Sequence, residues 1–129
     1  MNELCICCSG KLFINCCDRF LNQQKSAKSP EQLMRSRYSA YALGGYGEYL
    51  LQTWLPSTTQ GLSAAELSLL STQWAGLDVL NKSQKGEQGF VEFNAFFLGA
   101  NGEKSVHHEK SLFQRVLGKW LYVSGKVIS

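Results

Sequence analysis

The sequence predicts an α+β fold, and three observations carry that prediction. The chain has 129 residues, the size of one ordinary domain and long enough to bury roughly two-thirds of its unfolded surface. Its apolar residues recur at helical spacing up to Trp74 and at a period of 2 from Leu77 onward, so helices come first and an antiparallel sheet after. All five cysteines lie in the first 17 residues, which sets a distinct cysteine-rich segment ahead of that domain. Hydrophobic content of 44% with 18% charge excludes wholesale disorder. No apolar run approaches the roughly 20 residues of a membrane span, so no membrane partner is expected. Met1-Asn2-Glu3-Leu4 lacks the basic and apolar stretches of a secretory leader, and a cytoplasmic location is expected. A net charge of +3 is too small to imply nucleic acid by itself.

Each element has its own signal. Ser9-Gly10 supplies a tight turn after the first cysteines, and Asn15 to Leu21 begins a helix carrying Cys16 and Cys17. The polar, basic stretch Gln23 to Ser29 reads as a linker. Ser29-Pro30-Glu31 opens a helix, with Ser29 as its cap and Met34, Tyr38, Tyr41 and Ala42 on one side, and Gly44-Gly45 ends it. A short helix is predicted from Gly47 to Trp54, stopped by Pro56-Ser57, and a third from Ala64 to Trp74, capped by Ser63. Strands are predicted over 77–80, 89–98, 106–116 and 120–123. Lys85-Gly86-Glu87 and Leu117-Gly118 form turns, and Asn101-Gly102 lies in the middle loop.

Cys5, Cys7, Cys8, Cys16 and Cys17 make a poor disulfide framework. Their count is odd, adjacent thiols bridge only with strain, and a cross-link within 13 residues would stabilise little beyond itself. Thiolates around a tetrahedral cation, presented as two short pairs with a turn between, suit the spacing better. Cys5-Ile6-Cys7-Cys8-Ser9-Gly10-Lys11 followed by Cys16-Cys17 resembles the SEC-C zinc motif. The resemblance implies one structural Zn²⁺ held by Cys5, Cys7, Cys16 and Cys17 over residues 1–25. The motif usually has Pro and Gly where this chain has Ile6 and Cys8, which leaves Cys8 as a spare thiol. Such a hairpin alone is expected to depend on its metal, so that loss of Cys16 or Cys17 would leave the sheet domain folded. Four thiolates and a divalent cation lower the formal charge by two. The six basic residues among the first 37 (Lys11, Arg19, Lys25, Lys28, Arg35, Arg37) therefore serve first to stabilise the thiolates.

The longer string Leu33-Met34-Arg35-Ser36-Arg37-Tyr38-Ser39-Ala40-Tyr41 has companions in Tyr49-Leu50, Thr53-Trp54, Pro56-Ser57-Thr58, Trp74-Ala75-Gly76-Leu77, Val91-Glu92-Phe93, His108-Glu109 and Ser111. With them, the chain is similar to the YchJ-like family of bacterial proteins. The resemblance implies a domain over 30–129 like nuclear transport factor two (NTF2), a cone of helices against a curved sheet. Larger members carry a second SEC-C motif at the C-terminus, and this sequence stops at Ser129, so no role for a second zinc site is expected. The family position before Pro56 is often His, and here it is Leu55.

Folds of that kind enclose a pocket between helices and sheet. Pairing the two long strands around residues 100–102 sets Glu92 near Ser111 and Asn94 near Glu109, with Phe90, Phe113, Trp120 and Tyr122 continuing the face. In that pocket Glu92 or Glu109, buried beside aromatics, would serve as an acid or base on a small-molecule ligand. The preferred expectation is instead that Glu92 and Glu109 pair with Arg35 and Arg37 and fasten the first long helix to the sheet. Of His107 and His108 one must point away from any shared site. No serine has a His–carboxylate pair at a recognisable spacing, and only two aspartates, Asp18 and Asp78, are present, which disfavours a Mg²⁺ or Ca²⁺ site. The leading expectation is thus a non-enzymatic module with a structural zinc that meets a protein partner, a chaperone or the ribosome by analogy with the SEC-C motif of the translocase ATPase. Nucleic acid is the competing macromolecular partner, and a cone-pocket binding or enzymatic domain is the alternative.

Overall fold

The computed structural model describes residues 3–70 and 72–128. Met1, Asn2, Ser71 and Ser129 lie outside the described residues. The N-terminal segment is a knuckle closed by an antiparallel bridge between Leu4 and Leu12, with the Cys5 N–H donating to the Lys11 carbonyl at 2.8 Å. A 3-10 turn over Phe13–Asn15 and a short helix α1 (Asp18–Leu21) follow, so the predicted helix over 15–21 is split at the cysteine pair.

Helix α2 (Pro30–Leu43) is the central helix, and its start is as the sequence dictates. The Ser29 side chain accepts from the Gln32 N–H at 3.1 Å, Pro30 occupies the first turn, and Gly44 takes a positive φ at the end. Helix α3 (Gly47–Gln52), a 3-10 turn (Pro56–Thr58) and α4 (Ala64–Leu67) complete the helical layer. Ser63 and Glu66 form a reciprocal capping box at the start of α4.

The predicted helix from Ala64 to Trp74 is corrected. It ends at Leu67, Ser71 within it lies outside the described residues, and Gln73 already opens the sheet. Strands β1 (Gln73–Lys85), β2 (Gln88–Leu98), β3 (Lys104–Val116) and β4 (Lys119–Val127) form one antiparallel meander in chain order, each longer than its apolar signal. Two irregularities in β1, between Trp74 and Gly76 and between Val79 and Asn81, explain the error. Each inserts a residue, so Trp74 and Leu77 share the inner face although they stand three positions apart. That spacing imitates a helix. The second irregularity likewise turns Lys82 to the helix side, where its ammonium meets the Glu31 carboxylate.

The concave face of the sheet covers α2. Leu33, Met34 and Tyr38 pack with Leu77, Val91, Phe93, Ala95, Phe113 and Trp120, and Cys5, Cys7, Cys16 and Cys17 belong to the same buried cluster. Phe113 is almost wholly buried, an apolar contribution of about 2–3 kcal/mol. Gly89 permits the close approach of sheet to helix, since a Cβ there would lie 2.3 Å from Cγ of Pro30. The chain after α3 is tied to β4 by the Leu55 N–H to Tyr122 carbonyl bond at 2.8 Å and the Tyr122 N–H to Thr53 carbonyl bond at 2.7 Å. These bonds close one end of the cone. The cysteine knuckle thus packs into the same buried cluster as α2 and the sheet.

Candidate metal centre and binding cavity

The thiols of Cys5, Cys7, Cys16 and Cys17 converge from the two sides of the knuckle, all within 4.8 Å of one another and all buried. Sγ of Cys7 lies 3.6 Å from Sγ of Cys16. A disulfide needs about 2.05 Å, whereas sulfurs at about 2.3 Å around a tetrahedral cation stand about 3.8 Å apart. The cluster thus has the geometry of a metal cage. Its electrostatics agree. The thiols of Cys17 and then Cys7 hydrogen-bond to Cys5 and hold it far below the ordinary thiol range. Cys5, then Cys7 and burial push Cys17 far above that range. Cys7 and Cys17, both raised, keep their protons without a cation, so metal uptake must release them.

Cys8 stands apart from the cage. It is exposed, with its Sγ near the Ile6 carbonyl, and it has a φ of +64° at the position where the SEC-C motif usually has glycine. The backbone turns as the motif requires, with a cysteine bearing the cost.

Helix α2 holds the cage on one side. Ser39 Oγ approaches Cys5 Sγ at 3.9 Å, and Arg35 Nη1 donates to the Cys7 carbonyl at 2.7 Å while its Nε bonds Glu31. Lys82 and then Arg35 hold the Glu31 carboxyl below its ordinary value despite partial burial. A depressed carboxyl contributes stability above its unfolded pKa of about 4.3, and the contribution is lost as pH falls through the lower folded value. Glu31→Gln should accordingly cost under about 1 kcal/mol at pH 7, because Lys82 is largely exposed, and nothing once the wild-type carboxyl is protonated in acid. Urea denaturation at the two pH values measures the difference.

On its other side α2 lines a cavity of about 230 Å³ against the sheet. Met34, Tyr38, Trp74, Phe93 and Ala95 form much of its apolar wall, and Arg37, Tyr41, His107, Glu109, Ser111 and Tyr122 bring polar groups to it. Of the pocket residues read from the sequence, Glu109, Ser111, Phe113 and Tyr122 line the cavity, and Phe90, Glu92, Asn94 and Trp120 do not. The cause is a one-residue slip in the expected register. Phe93 pairs with Glu109 and Val91 with Ser111, so the odd-numbered residues of both strands face inward. Glu92 and Asn94 face outward, where Glu92 meets His108 at 2.6 Å, and Phe90 shares that outer face. Trp120 is buried in the core outside the cavity. The alternation of apolar Val91, Phe93 and Ala95 with polar Glu92 and Asn94 carries this information in the sequence.

The expected ion-pair fastening does not form. Glu109 accepts from Ser111 Oγ at 2.6 Å and from the Tyr122 hydroxyl at 3.4 Å, and its other oxygen meets His107 Nε2 at 2.8 Å. Burial, reinforced by Glu109, raises the Tyr122 phenol, so it stays protonated and donates. The carboxylate stands between imidazole and hydroxyl, the reverse of a nucleophilic triad in which imidazole stands between the other two. Gly125 makes room for it, since a Cβ there would lie 2.0 Å from Glu109 Oε2. Arg37 instead donates through Nη1 to the Leu50 carbonyl and to Thr53 Oγ1, both at 2.7 Å. Its guanidinium carbon lies 5.1 Å from the Trp54 ring centre and 4.8 Å from that of Tyr122. His107, Arg37 and Trp74 are among the lining residues that sequence reasoning did not place here, and Gly125 behind Glu109 is another it missed.

The family model described as the YchJ middle NTF2-like domain matches residues 29–125. The chain belongs to the YchJ-like family. Among its relatives, a UPF0225 protein of Serratia proteamaculans is 39% identical over 97% of this chain and 84% of its own length. Another, from Photorhabdus laumondii, is 40% identical over 97% of this chain and 81% of its own. The solution structure of a SEC-C motif containing protein from Rhodopseudomonas palustris is 37% identical, with a TM-score of 0.87 and full coverage of both chains. A calcium/calmodulin-dependent protein kinase II association domain from Xanthomonas campestris shares the fold alone, at 14% identity and a TM-score of 0.53 over 80% of this chain and 92% of that one. The α+β, NTF2-like fold expected of a YchJ-like chain is thus the fold observed, and the cysteine cluster of a SEC-C protein is present. Among the described residues no helix is long and apolar enough to cross a membrane.

Proposed function

We propose that this protein is a small-molecule-binding domain of the cone type, ordered by one structural zinc ion on Cys5, Cys7, Cys16 and Cys17. The observation that carries the binding role is the failure of Arg37 to close on Glu109. Helix and sheet stay apart over a cavity with apolar walls and a polar end. Zinc suits four buried sulfurs in a closed tetrahedral set, where it would tie the two halves of the knuckle together and leave no position for a reactant. Glu109, bridging His107 and Ser111, is the group placed to accept or return a proton to a ligand, which is what an enzymatic version of the site would use.

A protein-docking role for the knuckle has its own support. Leu4 and Ile14 are 69% and 55% exposed and lie on the knuckle with the exposed Ile6 and Lys11, an apolar surface with a basic neighbour. The SEC-C resemblance makes a chaperone or the ribosome the partner class for that surface.

The test combines metal analysis with a fragment screen on protein purified without chelator. One zinc per chain with one thiol reactive in the native state, Cys8, is the expected composition. Fragments should shift the indole N–H resonances of Trp54 and Trp74, which line the cavity, and spare Trp120. No zinc, or fragment shifts confined to the knuckle, would overturn the corresponding half of the proposal.

A further inference from the structure

The polar end of the cavity holds a buried cation with no anion to match it. Arg37 is 5% exposed and forms no ion pair among the described residues. Its Nη1 donates to Leu50 and Thr53 and the Tyr41 hydroxyl lies beside it, so neutral oxygens and not a carboxylate meet its donors among the described residues. Packing against Trp54 and Tyr122 fixes the plane of the guanidinium on the cavity wall. Trp54, on the same stretch of cavity wall, has its Nε1 buried without an acceptor. A buried guanidinium without a carboxylate partner and a buried indole N–H without an acceptor thus stand together on the wall of one cavity. Glu109 does not answer them, because both its oxygens are engaged by His107, Ser111 and Tyr122.

We propose that the cavity binds a small arylalkyl monocarboxylic acid, its carboxylate received by the Arg37 guanidinium and its ring packed against Tyr38, Trp74 and Phe93. The assignment rests on the cavity-binding role proposed above and adds the chemical class of ligand. A planar carboxylate matches the fork of a guanidinium, and Arg37 presents that fork already oriented. The ring is called for by the aromatic wall, in which Trp74 meets Tyr38 at 6.1 Å and Phe97 at 5.8 Å between ring centres. Size limits the ligand, since about 230 Å³ lies below the roughly 300–1,000 Å³ of sites for drug-sized molecules. Charge limits it to a single anionic group, because Glu109 shares the cavity and would repel a second.

Phenylacetate and its neutral isostere phenylacetamide provide the test on the metal-loaded, full-length protein. Titration followed at the indole N–H resonances of Trp54 and Trp74 should show the acid binding at least tenfold more tightly than the amide. Arg37→Gln should remove that preference while leaving amide binding in place, and its fold is checked by its amide spectrum. Should that variant not fold, the acid–amide ratio in the unaltered protein decides alone. Equal affinity for acid and amide would overturn the acid assignment and leave the cavity role standing. So would an acid that shifts only surface lysines while neutral fragments shift Trp54 and Trp74. If no compound of either kind perturbs those indoles, the cavity role falls with it.

Discussion

Replacing Cys17 by serine is expected to destabilise the whole domain and not the knuckle alone. Cys17 is 1% exposed and shares one core cluster with Leu33, Met34 and Tyr38 of α2 and with Val91, Phe93 and Phe113 of the sheet. Without its fourth thiolate the cage would no longer hold the proposed cation, and three buried, crowded sulfurs would be left in the core without it. Ser39 then loses the sulfur it approaches, and Arg35 loses the fixed Cys7 carbonyl that anchors it. The expected loss is about 3–5 kcal/mol, the scale of breaking a buried charged network. Amide hydrogen exchange supplies the measurement, with protection falling across α2 and β2 together. Protection lost only over residues 3–25 would show that the knuckle unfolds independently of the helix.

Gly125→Ala should be nearly as costly, by a different route. The added Cβ would fall 2.0 Å from Glu109 Oε2 and 2.7 Å from the Tyr122 hydroxyl, both of them hydrogen-bonded groups inside the cone. Glu109 must move, and its bonds to Ser111 and Tyr122 cannot both survive. Overpacking of this kind costs about 1–3 kcal/mol, and a carboxylate left without partners adds about 1–3 kcal/mol more. Thermal denaturation of Gly125→Ala beside Glu109→Gln separates the two contributions, since the second removes the carboxylate charge without adding the Cβ. A Gly125→Ala protein as stable as the parent would mean that the β4 edge yields freely at this point.

Much of this structure was legible in the sequence because its signals are local. Ser29-Pro30-Glu31 begins α2 through a side-chain cap and a preset φ, and Leu117-Gly118 turns the last hairpin. The cysteine spacing works in the same way, bringing four sulfurs together across one turn. What was not legible depends on partners distant in the chain. Trp74 and Leu77 sit three apart like helical neighbours, and only the inserted residue at the Trp74–Gly76 irregularity shows that both belong to a strand. The five-residue connection between β2 and β3, closed by the Gly99 N–H to Glu103 carbonyl bond, fixes a register one residue away from that expected. That single step exchanged Glu92 and Asn94 for Phe93 and Ala95 on the cavity wall. Arg37 was visible as a charge, but its use of backbone and hydroxyl acceptors in place of a carboxylate belongs to the fold of α3 and the Thr53 turn.

The order of parts along the chain has a consequence for biosynthesis. The cysteines leave the ribosome well before Val91, Phe93, Phe113 and Trp120, which share their core. At roughly 5–20 residues per second, several seconds separate the two. Throughout that interval five thiols hang on a nascent chain with no sheet to cover them. A cation captured early would shield four of those sulfurs from oxidation and hand the emerging strands a finished floor to close upon. Metal supply during translation, and not only in the finished protein, would then govern the yield of correctly closed molecules.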